Sequence, residues 1–226
     1  MKLTKNFTGK ESVVDLIEQD YNILPILSRF NIPLGFQDRR IEDVCAENGI
    51  DVKVFLFIIN FILSGHIDAE TMPDISPLAI VDFLHNSHDY FLRYKFPHIR
   101  RNLLDALDET LSDINPAIIA FFDEYIEEVK KHFAYEENKV FPYIRSLIAG
   151  DVSTYNISIF KRHHDEIARK LADLKNIILR FYTTSMPNRM YDVLVDLYNA
   201  EDDLDSHADI ENLILIPLIA SLEDKG

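Results

Sequence analysis

The sequence predicts an all-α protein: an antiparallel up-down-up-down four-helix bundle preceded by a small helical domain. Three observations predict it. There are only six glycines in 226 residues. Prolines gather near segment ends, and long stretches repeat their apolar residues every three or four positions.

The first segment, Glu11 to Arg29, sets Val14, Leu16, Ile17, Ile23, Leu24 and Leu27 at helical spacing and runs out at Asn31-Ile32-Pro33-Leu34-Gly35. Ile41 to Ala46 predicts a short helix closed by Asn48-Gly49, and Asp51 to Leu63 a third closed by Ser64-Gly65. These make a small domain over residues 1–67. Asp68 to Pro77 predicts a linker, because Pro73 and Pro77 both discourage helix continuation.

Ser76 then stands as an N-cap with Pro77 at the first helical position. Four long helices follow within a second domain, residues 76–224. They run from Pro77 to Ser112, from the cap Asn115-Pro116 to Gly150-Asp151, from Thr154 to Tyr182, and from Ser185-Met186-Pro187 to about Leu222. Connections this short between helices this long favour antiparallel neighbours.

Composition removes several classes of function. The longest apolar run, Val54 to Leu63, is broken by Asn60 and falls short of the roughly 20 residues a membrane helix needs. The N-terminal residues carry no apolar stretch with a cleavage site, so a cytoplasmic location is the default expectation. The single cysteine, Cys45, permits neither an internal disulfide nor a cysteine-only metal site. A net charge of −15 repels a phosphate backbone. The scarcity of glycine excludes a phosphate-cradling loop.

What remains is histidine and carboxylate. Seven of the eight histidines fall in the predicted bundle, and two share a frame. His132 is followed by Glu136 and Pro142; His207 is followed by Glu211 and Pro217, at the same separations. Four residues advance a helix by about 6 Å and turn it by about 400°, so imidazole and carboxylate leave the same face. His88 and His164 supply one histidine from each of the other two helices. Four imidazoles and two carboxylates at one level suit two metal ions, with Glu136 and Glu211 bridging. This donor set favours a first-row transition metal over magnesium or calcium. Six side chains also leave coordination positions open for a small molecule such as O₂ or NO.

Other residues are weaker candidates. His85 lies one turn before His88 and offers an alternative or supporting ligand. His163 must point about 100° away from His164. His66 and His98 read as surface residues, Glu137 as solvated, Phe133 and Tyr135 as core. Pro142 and Pro217 read individually as helix-end punctuation.

These residues resemble the hemerythrin-like di-iron proteins, specifically the iron–sulfur cluster repair family (the YtfE/ScdA type). The resemblance rests on Ser87-His88-Asp89, on His132 through Glu136-Glu137 to Phe141-Pro142, on His164-Asp165-Glu166, and on His207 through Glu211. It implies two non-haem iron ions, oxo- or hydroxo-bridged, held by His88, His132, Glu136, His164, His207 and Glu211. It also implies protection or repair of iron–sulfur clusters under nitrosative or oxidative stress, with NO or O₂ species bound or reduced at the site. The partners would be iron–sulfur client proteins and an electron donor. The alternative is a non-enzymatic sensor or storage module for O₂, NO or iron. Oxygen-carrying hemerythrin adds a histidine where this chain has Ala168, which implies a more open site here. The N-terminal segment resembles the family's small domain in Leu27-Ser28-Arg29-Phe30 and Ile41 to Ile50. It has Pro33-Leu34-Gly35-Phe36 where many relatives carry paired cysteines, so a thiol step is not expected of it.

Overall fold

The structure is a computed structural model that describes residues 6–67, 72–111, 113–151, 155–162, 167–184 and 187–224. It is all-α: no strand occurs among the described residues, and Ser12 and Arg40 form an isolated antiparallel bridge. Two compact units divide the chain, Met1–Ser87 with Ile210–Gly226, and His88–Asp209.

In the first unit the expected helix over Glu11 to Arg29 is broken in two. α1 (Val13–Gln19) begins with Ser12 and Asp15 capping each other, and α2 (Leu24–Arg29) follows a single 3₁₀ turn, Tyr21–Ile23. The reason lies at Asp20 and Pro25. The Asp20 carboxylate accepts the N–H of Asn22, and Pro25 has no N–H to continue the ladder. α3 (Ile41–Glu47) and α4 (Val52–Ser64) fall where the periodicity placed them. Asp51 caps the start of α4, and Gly65, at φ 66°, ends it in the left-handed conformation that glycine adopts without a Cβ penalty. Phe30 packs between Phe55 and Phe83 at ring distances of 5.0 and 4.9 Å. Asn60 ties the chain's beginning down by bonding both the N–H and the carbonyl of Phe7.

α5 (Pro77–Tyr90) starts behind Ser76, whose hydroxyl accepts the N–H of Ala79. One π turn, Phe91–Lys95, joins it to α6 (Phe96–Ala106). This helix stops short of the expected Ser112, itself outside the described residues. Asp108 redirects the chain there: its carboxylate accepts from the N–H and hydroxyl of Thr110, while its own N–H donates to the Tyr182 hydroxyl. α7 (Asn115–Tyr135) does not use Asn115 as its cap. That side chain is held instead by the Asp108 carbonyl and the Tyr182 hydroxyl. A second π turn, Glu136–Val140, leads into α8 (Phe141–Ile148).

After a 3₁₀ segment, Ile157–Arg162, come α9 (Ile167–Phe181) and α10 (Pro187–Ile210). A third π turn, Glu211–Leu215, and α11 (Ile216–Glu223) complete the chain. Thr154, expected to begin helix three, and Ser185-Met186 lie outside the described residues, as does Asp68 to Thr71 of the linker.

Within the second unit, polar pairs fix an antiparallel register. Arg100 grips Asp123 across α6 and α7 at 2.7 and 2.9 Å. Lys95 reaches Asp196 at 3.0 Å, and Arg189 donates to the Asp105 carbonyl across α6 and α10. Lys170 pairs with Glu128, and Lys175 with Glu201. Phe96, Phe122, Tyr125, Leu174 and Leu197 fill the interior between them.

Candidate metal centre

Each π turn precedes a proline: Pro97, Pro142 and Pro217 stand second in the helices that follow. Proline lacks an N–H and its ring collides with the carbonyl four residues back. The chain answers by widening one turn. The N–H of Phe96 bonds to the Phe91 carbonyl, that of Phe141 to Glu136, and that of Ile216 to Glu211, each five residues back. Pro142 and Pro217 are therefore interior to long helical stretches, not the end signals expected. Glu136 and Glu211 each open a π turn, a placement that recurs at functional sites.

These turns carry buried acid. Glu136 and Glu211 are 0 % exposed, and His88 and His207 are 3 % exposed. One ligand atom from each of His88, Glu136, His207 and Glu211 lies within 4.8 Å of the others. Nε2 of His88 is 2.8 Å from Oε2 of Glu136, and Nε2 of His132 is 2.8 Å from Oε1. One carboxylate thus offers each oxygen to an imidazole from a different helix. His132 meets the group through Glu136. His164, with its neighbours His163, Asp165 and Glu166, lies outside the described residues.

Glu137, expected in solvent, is half-buried and reaches Nδ1 of His88 at 2.7 Å. A carboxylate on the far nitrogen fixes the ring and directs Nε2 at the cluster. Two adjacent glutamates following a helical histidine were the signal for it. His85 is exposed, and the imidazole brought to the cluster is that of His88. His98 is half-buried rather than on open surface. It stacks on Tyr94, and Asn102 lies 3.0 Å from its Nε2.

Aromatic rings wall the group. Phe133 and Phe141 lie parallel to His88 at 4.0 and 5.5 Å, Phe160 is stacked with His132 at 6.3 Å, and Phe91 meets His207 edge-on. Phe133, expected in the core, is 2 % exposed; Tyr135 is only half-buried. Carboxylates enclosed this way are costly unless they are paired or bind metal. Imidazole and carboxylate are borderline-to-hard donors that fit first-row ions. Ligand atoms this close together can converge on a metal ion.

Cys45 is not among the clustered ligands. Burial first, and the nearby Asp51 charge second, push its thiol up to about 12. The thiolate that would react is therefore scarce at neutral pH. A thiol-specific reagent is expected to leave native protein untouched and to label it stoichiometrically in denaturant. As pH rises from 9.0 towards about 12, the unfolded thiol ionises while the buried one does not, so this group's contribution to stability falls.

The fold and the buried histidine–carboxylate group define a helical metal-binding module. The Hemerythrin HHE cation binding domain matches residues 79–219, and the chain belongs to that family. No curated protein sequence matches it. Among the described residues, no helix is long and apolar enough to cross a membrane.

Proposed function

We propose that the protein is a di-iron protein that binds or reduces NO and oxygen species and protects or repairs iron–sulfur clusters under nitrosative or oxidative stress. The observation that carries the reading is the enclosure of Glu136 and Glu211 beside His88 and His207. His88, His132, His164 and His207 would hold the metals, and Glu136 and Glu211 would bridge them. An iron pair supplies electrons and open coordination positions for a diatomic ligand. The chain's own residues do the rest. Glu137 holds the proton on Nδ1 of His88, so that Nε2 keeps its lone pair for metal. The phenylalanine wall excludes water and favours uptake of an apolar diatomic. An electron donor and an iron–sulfur client would be the partners, in the cytoplasm.

The test is NO consumption by anaerobically iron-loaded protein with a reductant present. Repeated turnovers are expected, with loss in Glu136→Ala. A single stoichiometric uptake would favour a sensor or storage module. No uptake by fully loaded protein would reject the proposal.

A further inference from the structure

We propose that Tyr135 and Tyr155 form a redox relay that draws oxidising equivalents away from the metal centre. This inference rests on the di-iron reading above. A line of rings leads outward from Glu136. His132, bonded to that carboxylate, is stacked with Phe160 at 6.3 Å and an interplanar angle of 8°. Phe160 stacks in turn on Tyr135 at 6.5 Å and 20°. The Tyr135 hydroxyl oxygen lies 3.0 Å from that of Tyr155, whose ring is 4.9 Å from Tyr143. Phe160 is fully buried, whereas Tyr135 and Tyr155 are half-exposed, so the line runs from the dry interior to water.

The chemistry follows from the phenols. Phenylalanine resists oxidation and serves only as a coupling medium, but tyrosine gives up one electron when its proton has somewhere to go. With hydrogen peroxide as the oxidant at the metal pair, Tyr135 loses an electron towards the metals and its hydroxyl proton to water. The facing hydroxyls then exchange electron and proton together: the Tyr135 phenoxyl takes a hydrogen atom from Tyr155, restoring Tyr135 and leaving the radical on Tyr155. Supplied with a thiol or ascorbate as one-electron donor, the phenols return to their starting state. Without a donor, both rings are oxidised and join through a new carbon–carbon bond. Each loses one ring hydrogen, and the peroxide leaves as two waters. The benefit is that oxidant is spent on replaceable phenol hydrogen rather than on His132.

The experiment treats the full iron-loaded chain with hydrogen peroxide. It reads tyrosyl radical by freeze-quench electron paramagnetic resonance and covalent products by peptide mass spectrometry. The expected result is a radical in the wild type and, without donor, a Tyr135–Tyr155 cross-link. Both are lost in Tyr155→Phe and in Tyr135→Phe, with His132 oxidation raised severalfold and iron content unchanged. Tyr191→Phe, an exposed tyrosine on α10, retains both signals. Protein that holds iron and consumes peroxide but forms no radical, or cross-links other tyrosines, overturns the relay alone. Protein that takes up no iron overturns the di-iron reading and the relay with it.

Discussion

Anaerobic loading with ferrous iron is expected to raise the unfolding temperature by on the order of 10 °C, and Glu136→Gln/Glu211→Gln is expected to abolish that rise. A ligand that binds only the folded state, present at a thousand times its dissociation constant, adds about 4 kcal/mol. For a chain of 226 residues, each kcal/mol moves the midpoint by about 2–4 °C. The metal-free comparison sharpens the point. Glu136 and Glu211 are both fully buried, so holding charge at these positions is costly to the metal-free fold. The amide variant is therefore expected to be at least as stable as the wild type without metal. Scanning calorimetry on four samples, with and without iron, checks both halves.

The second large effect concerns Lys175. Its side chain is 6 % exposed and pairs with Glu201, at 19 %. Its ammonium also lies 3.9 Å above the Tyr198 ring. Removing one member of a buried pair strands the other's charge, and such changes cost about 3–5 kcal/mol. Here the stranded carboxylate would lie beside a group already short of compensation. Burial first, then Glu201, Asp202 and Asp209, hold the Asp205 carboxyl above its ordinary range, and Lys175 is the charge that opposes them. Lys175→Ala is thus expected to lower stability by about 3–5 kcal/mol in urea unfolding, and Lys175→Met/Glu201→Met to recover most of it. An additive double variant would show that the pair is not coupled.

Much of the architecture was legible because its signals are local. Asp51 and Ser76 cap the helices they precede, and Gly65 ends α4 as its position foretold. Of the four residues now found together, Glu136, His207 and Glu211 were named by a repeated frame of histidine, glutamate and proline, and His88 as the histidine the first long helix adds to match. What escaped depends on features that periodicity does not encode. A π turn shifts one hydrogen bond from the fourth to the fifth residue, leaving the apolar pattern almost unchanged, so Pro142 and Pro217 read as ends. Pro97 also follows a π turn, but it stands nine residues after His88 with Leu92 where the frame has glutamate, so the frame did not reach it. Glu137 was assigned to water because it neighbours Glu136, yet it pairs with His88 from another helix, a tertiary contact. The break at Asp20 and the diversion of Asn115 are cases in which a polar side chain found a better partner than the helix offered. His164 lies outside the described residues, so its part in the centre belongs to the proposal.

Elemental analysis of protein loaded under anaerobic conditions, combined with anomalous scattering from its crystals at the iron edge, tests the central claim most directly. The account predicts two iron atoms per chain, both within bonding distance of Glu136 and Glu211. Less than one metal per chain, or scatterers lodged away from those carboxylates, would contradict it.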